Sequence, residues 1–149
     1  MLRALELAVD NVSRGGGPFG AVIVRNGLII SEGVNNVTSS FDPTAHAEIV
    51  AIRLACQKLH SFHLPNCTLY TTCEPCPMCL AASYWARIDH IYYGASRDDA
   101  AAAGFDDRFL YQELRLEIAD RKLSMTPLLK ERAQEPFKAW AVSPNKIPY

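Results

Sequence analysis

The chain reads as an α/β protein, a three-layer α-β-α sandwich around a central mixed β-sheet. Three observations predict this. Helix-like and strand-like segments alternate through the middle of the chain, and two early strands are separated by Asn26-Gly27, a two-residue turn suited to an antiparallel hairpin. The 149 residues, 49% hydrophobic and 21% charged, suffice for one packed core. Strands separated by helices need crossover connections, so parallel pairing must accompany the hairpin.

Leu2, Leu5, Val9 and Val12 recur at helical spacing with charges between them, which predicts an amphipathic helix over residues 2 to about 14. Gly15-Gly16-Gly17 ends it. Phe19 to Val24 and Leu28 to Ser31 are β-rich runs on either side of the turn. Ile49, Ile52 and Leu54 mark a helix from Ala45 to Leu59, for which Thr44 is a candidate cap after Asp42-Pro43. Cys67 to Thr72 alternates as a strand, Pro75 opens a helix over about Cys76 to Arg87, and Ile88 to Tyr93 forms the next strand. Beyond Gly94 the pattern weakens to helical turns at Asp98–Ala103 and Phe109–Leu114, a solvated charged stretch from Arg115 to Lys122, and a helix over about Lys130 to Ala141. Val142 to Tyr149, with two prolines, reads as an extended tail. One domain spanning residues 1–149 is expected.

Fifteen basic and sixteen acidic side chains leave a formal charge of -1. That balance argues for a small substrate and against a nucleic-acid backbone as partner. Arg3, Glu6, Asp10 and Arg14 interrupt any secretory or membrane-spanning run at the N-terminus, so no membrane partner is expected. Five cysteines, an odd number, point to thiol or metal chemistry in a reducing, cytoplasmic setting. Cys56 and Cys67 read as inert buried thiols.

The chemistry concentrates in His46-Ala47-Glu48 and in Cys73-Glu74-Pro75-Cys76-Pro77-Met78-Cys79. The order H-x-E followed by P-C-x-x-C is the zinc deaminase signature. Cys76 and Cys79, three apart at a helix start, share one face near the positive end of the helix dipole, which favours thiolates. With His46 they form a three-ligand set suited to Zn²⁺, leaving the fourth position to a water whose pKa falls toward ~7. Glu48 is then the general acid/base that moves the proton from that water to the leaving amine. Competing readings are a closed structural zinc site or an iron-sulfur site that includes Cys73. The first would show four ligands in paired spacings and the second a fourth cysteine followed by proline, and neither occurs. Cys73 is expected near the metal but not on it.

These motifs resemble those of the cytidine and deoxycytidylate deaminase superfamily, with the likeness running from Gly17 to the C-terminus. Within it the chain is most similar to bacterial guanine deaminases, through G-G-P-F-G-A-V-I-V (16 to 24), N-N-V-T (35 to 38), D-P-T-A-H-A-E (42 to 48), Y-W-A-R (84 to 87), A-G-F-D-D (103 to 107), P-F-K-A-W (136 to 140) and the terminal tyrosine. The resemblance implies a cytidine deaminase-like fold and hydrolytic deamination of guanine to xanthine and ammonia, with Zn²⁺ on His46, Cys76 and Cys79 and Glu48 as proton shuttle. It further implies substrate contacts from Asn35, Phe19, Ala47, Trp85 and Asp107. By the same resemblance, the C-terminal helix and tail, about residues 130–149, cross to a partner in a swapped homodimer, where Tyr149 completes the neighbouring site.

Residue chemistry alone leaves some of these roles open. A buried carboxylate is the natural reader of the ring N–H beside guanine's reacting carbon, and Asp106 or Asp107 could supply it. Asn35 could equally be a turn residue, and Phe19 and Trp85 could be core aromatics. His60 and His63 have no ligand spacing and read as surface or capping residues. A transfer-RNA adenosine deaminase would share the metal site but should carry a more basic surface. A metal-stabilised binding module would have no use for Glu48.

Overall fold

The computed structural model describes residues 1–149. In chain order the elements are α1 (Leu2–Ser13), β1 (Gly20–Arg25), β2 (Leu28–Val34), α2 (Val37–Ser40), α3 (Ala47–Leu59), β3 (Cys67–Cys73), α4 (Pro77–Trp85), β4 (His90–Ala95), α5 (Arg97–Ala102), α6 (Arg108–Glu113) and α7 (Glu135–Val142). Two compact units divide the chain, residues 1–108 and 109–149.

The first unit holds a four-stranded sheet in the order β2-β1-β3-β4. β1 runs antiparallel to β2 and to β3, and β3 runs parallel to β4, so the sheet is mixed. Asn26 (φ 52°) and Gly27 (φ 76°) both adopt left-handed backbone in the β1–β2 turn, as a hairpin turn of this length requires. Because β2 and β3 both run opposite to β1, β2-α3-β3 and β3-α4-β4 are two successive crossovers between strands of like direction. Each crossover helix starts just beyond the carboxyl end of a strand, and both starts fall at one edge of the sheet.

Two glycines set how closely helices lie on this sheet. A β-carbon on Gly20 would strike the carbonyl of Ala4 in α1, and one on Gly33 would strike the carbonyl of Ala47 and lie 2.6 Å from the amide of Ala51 in α3. Gly33 pairs with Ala21, and Ala21 and Gly20 point to opposite faces, so α1 and α3 cover opposite sides of the sheet. That is the expected three-layer order. Ile23, Leu64, Leu69, Ala51, Ala55 and Cys67 are fully buried in the core.

Several local expectations are corrected. The helix over residues 2–13 forms, but its buried residues are Ala4, Ala8 and Asn11, while Leu2, Leu5, Val9 and Val12 are exposed. The close approach at Gly20 explains this, because only small side chains fit between helix and sheet. Thr44 does not cap α3. Its hydroxyl and amide both donate to Asp42 Oδ1 (2.7 and 2.8 Å), and His46 is the N-cap residue. Pro77, not Pro75, occupies the first turn of α4, after an extended Cys76 (ψ 167°). The stretch after Asn35 forms the short helix α2.

The second unit contains the remainder of α6, two 3₁₀ turns (Ile118–Asp120 and Arg132–Gln134) and α7. None of residues 109–149 is buried, and Phe109, Leu128, Phe137 and Val142 are each more than half exposed.

Gly33→Ala should lower stability by about 1–3 kcal/mol or more, since its β-carbon meets backbone that cannot rotate away. Thermal unfolding would register this as a Tm several degrees below that of the parent chain.

Candidate active site

The two crossover helices deliver their first residues to one place. His46 is the N-cap residue of α3, Glu48 lies in that helix's first turn, Cys76 is the N-cap residue of α4, and Cys79 follows one turn later. Neither N-cap side chain bonds to its own helix backbone, so both are available to a ligand. His46 Nδ1 lies 3.6 Å from the sulfurs of both Cys76 and Cys79, and the three donor atoms sit within 4.8 Å of one another.

These separations fit zinc. A tetrahedral site with zinc–sulfur bonds of ~2.3 Å and zinc–nitrogen bonds of ~2.0 Å has a nitrogen–sulfur edge of about 3.5 Å. Cys73 stands apart from the cluster, with its buried thiol directed at the carbonyl of Ser96 (3.5 Å) and pushed up to about 11, chiefly by burial. It lies outside the group formed by His46, Cys76 and Cys79. Cys56 and Cys67 are likewise held up by burial.

The charges of the site are coupled. The neighbouring Cys79 side chain and His46 hold Cys76 down to about 4 against the effect of burial. Cys79 is pushed up by the same contact, by burial and by Glu48. His46 is raised by its contact with Cys76. A divalent cation bound by these three donors would favour two thiolates and a neutral ring. Glu48 is 6% exposed, and burial above all raises its pKa, while its own amide and the thiol of Cys79 (3.5 Å) oppose the shift.

Around this cluster lie some of the other expected site residues. Ala47 is fully buried at the first position of α3, where an amide has no acceptor within the helix. Asn35 follows β2. Its amide donates to the carbonyl of Phe19 (3.1 Å), its Oδ1 accepts from Val37 N (3.3 Å), and the next amide, of Asn36, donates to Ala45 just before His46 (2.9 Å). Phe19 immediately precedes β1 at the same edge and meets Phe105 edge-on, with centroids 4.9 Å apart.

The two acids have different surroundings. Asp106 is exposed and grips Arg108 with both oxygens (2.6 and 2.9 Å), which holds its carboxyl down to about 2. Asp107 has a buried Oδ1 with no hydrogen-bond partner in the chain, and it is raised by burial and by the charge of Cys76.

Two expected residues are not brought to the cluster within this unit. Trp85 is the last residue of α4, about 13 Å along the helix axis from its start, and it is 63% exposed. Tyr149 ends the second unit. His60 takes the left-handed C-cap position of α3, and His63 packs edge-on against Phe62 with its Nε2 buried.

Sequence reading missed Asn11 and Phe105. Asn11 could have been found as the polar member of the buried series 4, 8, 11, which has helical spacing. Phe105 stood inside the G-F-D-D motif, beside the residues that drew the reading.

His46→Ala, Cys76→Ser and Cys79→Ser should each reduce bound zinc from about one equivalent per chain to a small fraction of that, whereas Cys73→Ser retains it. Elemental analysis of the purified variants checks this, and zinc loss in Cys73→Ser would make that sulfur a ligand.

Comparison with known proteins agrees with this geometry. The sequence profile of the cytidine and deoxycytidylate deaminase zinc-binding region matches residues 1–95. The chain is 52% identical over 148 residues to a guanine deaminase of Bacillus subtilis, spanning 99% of this chain and 95% of that one. The X-ray structure of the guanine deaminase from Bacillus subtilis superposes with a TM-score of 0.97 over the same shares of the two chains. A transfer-RNA-specific adenosine deaminase of Agrobacterium fabrum is 45% identical over 95 residues, 64% of this chain and 62% of that protein. A guanine deaminase from Nitrosomonas europaea superposes with a TM-score of 0.68 at 38% identity, over 70% of this chain and 62% of the other. With its metal-ligand set, its mixed sheet and these similarities, the chain belongs to the cytidine and deoxycytidylate deaminase family.

Proposed function

We propose that the protein hydrolyses guanine to xanthine and ammonia. The observation that carries this choice of base is the buried, unpartnered Oδ1 of Asp107 beside the cluster. A carboxylate so placed needs a donor, and guanine presents a ring N–H next to the carbon that bears its amino group. The near full-length similarity to a guanine deaminase supports the same choice.

In the reaction the C2–N bond to the exocyclic amine breaks and a C2–O bond to water forms, with no change of oxidation state. His46, Cys76 and Cys79 would hold zinc, which when bound would supply the Lewis acidity that makes a water nucleophilic near neutral pH. Glu48 accepts that water's proton and returns it to the departing amine. Its burial suits this work, because a raised carboxyl pKa brings proton gain and loss closer to neutral pH. Asp107 receives the ring N–H, Asn35 orients the purine, Phe19 provides an aromatic wall, and Ala47 offers an amide at the helix start.

The assembly we propose is a cytoplasmic homodimer in which residues of about 130–149 serve the neighbouring subunit. No residue of 109–149 is buried, although this stretch carries Phe137, Trp140, Ile147 and Tyr149, so apolar surface is available for a second copy to cover. Trp85 and Tyr149 would complete the purine site in that setting. The five unpaired thiols fit a reducing compartment.

Ammonia release from guanine, adenine, cytosine and cytidine tests the substrate. Guanine alone should turn over. Inosine formation in an anticodon stem-loop without turnover of any free base would replace this reading with transfer-RNA deamination. In the same assay Glu48→Gln should retain zinc and lose ~10²- to ~10⁴-fold in kcat, and Asp107→Asn should lose guanine turnover where Asp106→Asn does not.

Ending the chain at Pro148 should leave Tm unchanged and lower kcat/KM about tenfold or more. Mixing that truncated chain with Glu48→Gln chains should restore activity, since an intact tail then reaches a site with Glu48. No recovery in demonstrably mixed dimers would show that the tail does not act across subunits.

A further inference from the structure

We infer that Asn11, a buried residue of α1, is a positioning residue that sets purine affinity by tying together the two segments that carry Phe19 and Asn35. The inference rests on the purine-site roles proposed above for those two residues.

Asparagine is a poor helix former, and Asn11 sits in the last turns of α1, 6% exposed. Its side-chain Nδ2 donates to the carbonyls of Gly17 and Asn35, both at 2.9 Å. One amide therefore bridges the loop before β1 and the exit from β2. These segments are the open end of the β1–β2 hairpin, whose closed end lies at Asn26-Gly27.

The bridge controls backbone at two substrate positions together. Asn35 is held on both sides, its amide by Phe19 and its carbonyl by Asn11. Gly17 is bonded through the same Nδ2, and its carbonyl also accepts the amide of Phe19 (2.9 Å). The glycine run shows how tightly the bridge is fitted. A β-carbon on Gly16 would overlap Nδ2 of Asn11 and lie 2.6 Å from its Cγ and Oδ1, and one on Gly17 would lie 3.0 Å from Cγ of Asn35. Chemistry restricts the choice at position 11. Serine is too short, and aspartate would present oxygen to two carbonyl oxygens. Only a side chain with two N–H bonds at this reach satisfies both acceptors.

The experiment measures kcat and KM for guanine, the inhibition constant of xanthine, zinc content and Tm in Asn11→Ala and Gly16→Ala. The second variant keeps the asparagine and displaces its amide, so it decides the matter if Asn11→Ala does not fold. We expect KM and the xanthine constant to rise together by about tenfold or more, with kcat within about threefold and zinc unchanged. A fall in kcat at constant KM would mark only a loss of folded enzyme and would overturn the inference, as would unchanged KM and inhibition constants in the folded variants. If the parent enzyme acts on a different purine, the same ratios are read with that substrate and its product. The guanine reading would then have failed while the role of Asn11 is still decided.

Discussion

The site depends on how the first turn of α3 is seated against the bare backbone of Gly33. The carbonyl of Ala47 lies where a β-carbon of residue 33 would be, and Ala47 stands between a metal ligand and the proposed proton carrier. A helix lifted by the thickness of one methyl group would move His46 and Glu48 together, away from the two sulfurs on α4. Metal sites tolerate displacements of about 0.2 Å in ligand distance, far less than such a lift. A residue with no side chain, on a strand that contributes nothing to the chemistry directly, therefore governs the alignment of the chemical groups.

Electrostatics completes what this packing begins. Two helix starts face each other across the cluster, and their amides favour negative charge there. Four ionisable groups nonetheless crowd one another, and each perturbs the titration of its neighbours. Cys76 is held down, while Cys79 and the carboxyl of Glu48 are raised. A divalent cation on His46, Cys76 and Cys79 would compensate two thiolates, and in the proposed reaction Glu48 stays outside that ligand set. The proposed division of roles matches position: the candidate ligands lie at N-caps and one turn later, and the carboxylate lies in the first turn of α3.

The metal site was legible in the sequence because its spacing is imposed by short, local geometry. H-x-E at one helix start and C-x-x-C at another specify faces and ends without knowledge of the sheet. The hairpin was legible for a similar reason, since Asn26-Gly27 serves left-handed backbone at two consecutive positions. What escaped depended on distant partners. The apolar spacing of Leu2, Leu5, Val9 and Val12 is real, but nothing in it reveals that Gly20 draws the alanine face of α1 inward. Thr44 had the right chemistry for a cap and lost that role to a neighbour, because Asp42 engages its hydroxyl. Asp106 and Asp107 are identical as letters, and only the place of Arg108 and the burial of one oxygen distinguish them.

The β1–β2 turn carries a practical consequence. β1 spans six residues, about 20 Å, from the edge bearing Phe19 to Asn26-Gly27. A β-carbon on Gly27 would meet nothing within 4 Å. Gly27 itself holds left-handed backbone (φ 76°), so a fluorophore or an affinity tag is grafted into this open space only with a glycine kept at that position. A probe attached there would report on tumbling and assembly of the protein while leaving the reacting end of the sheet untouched.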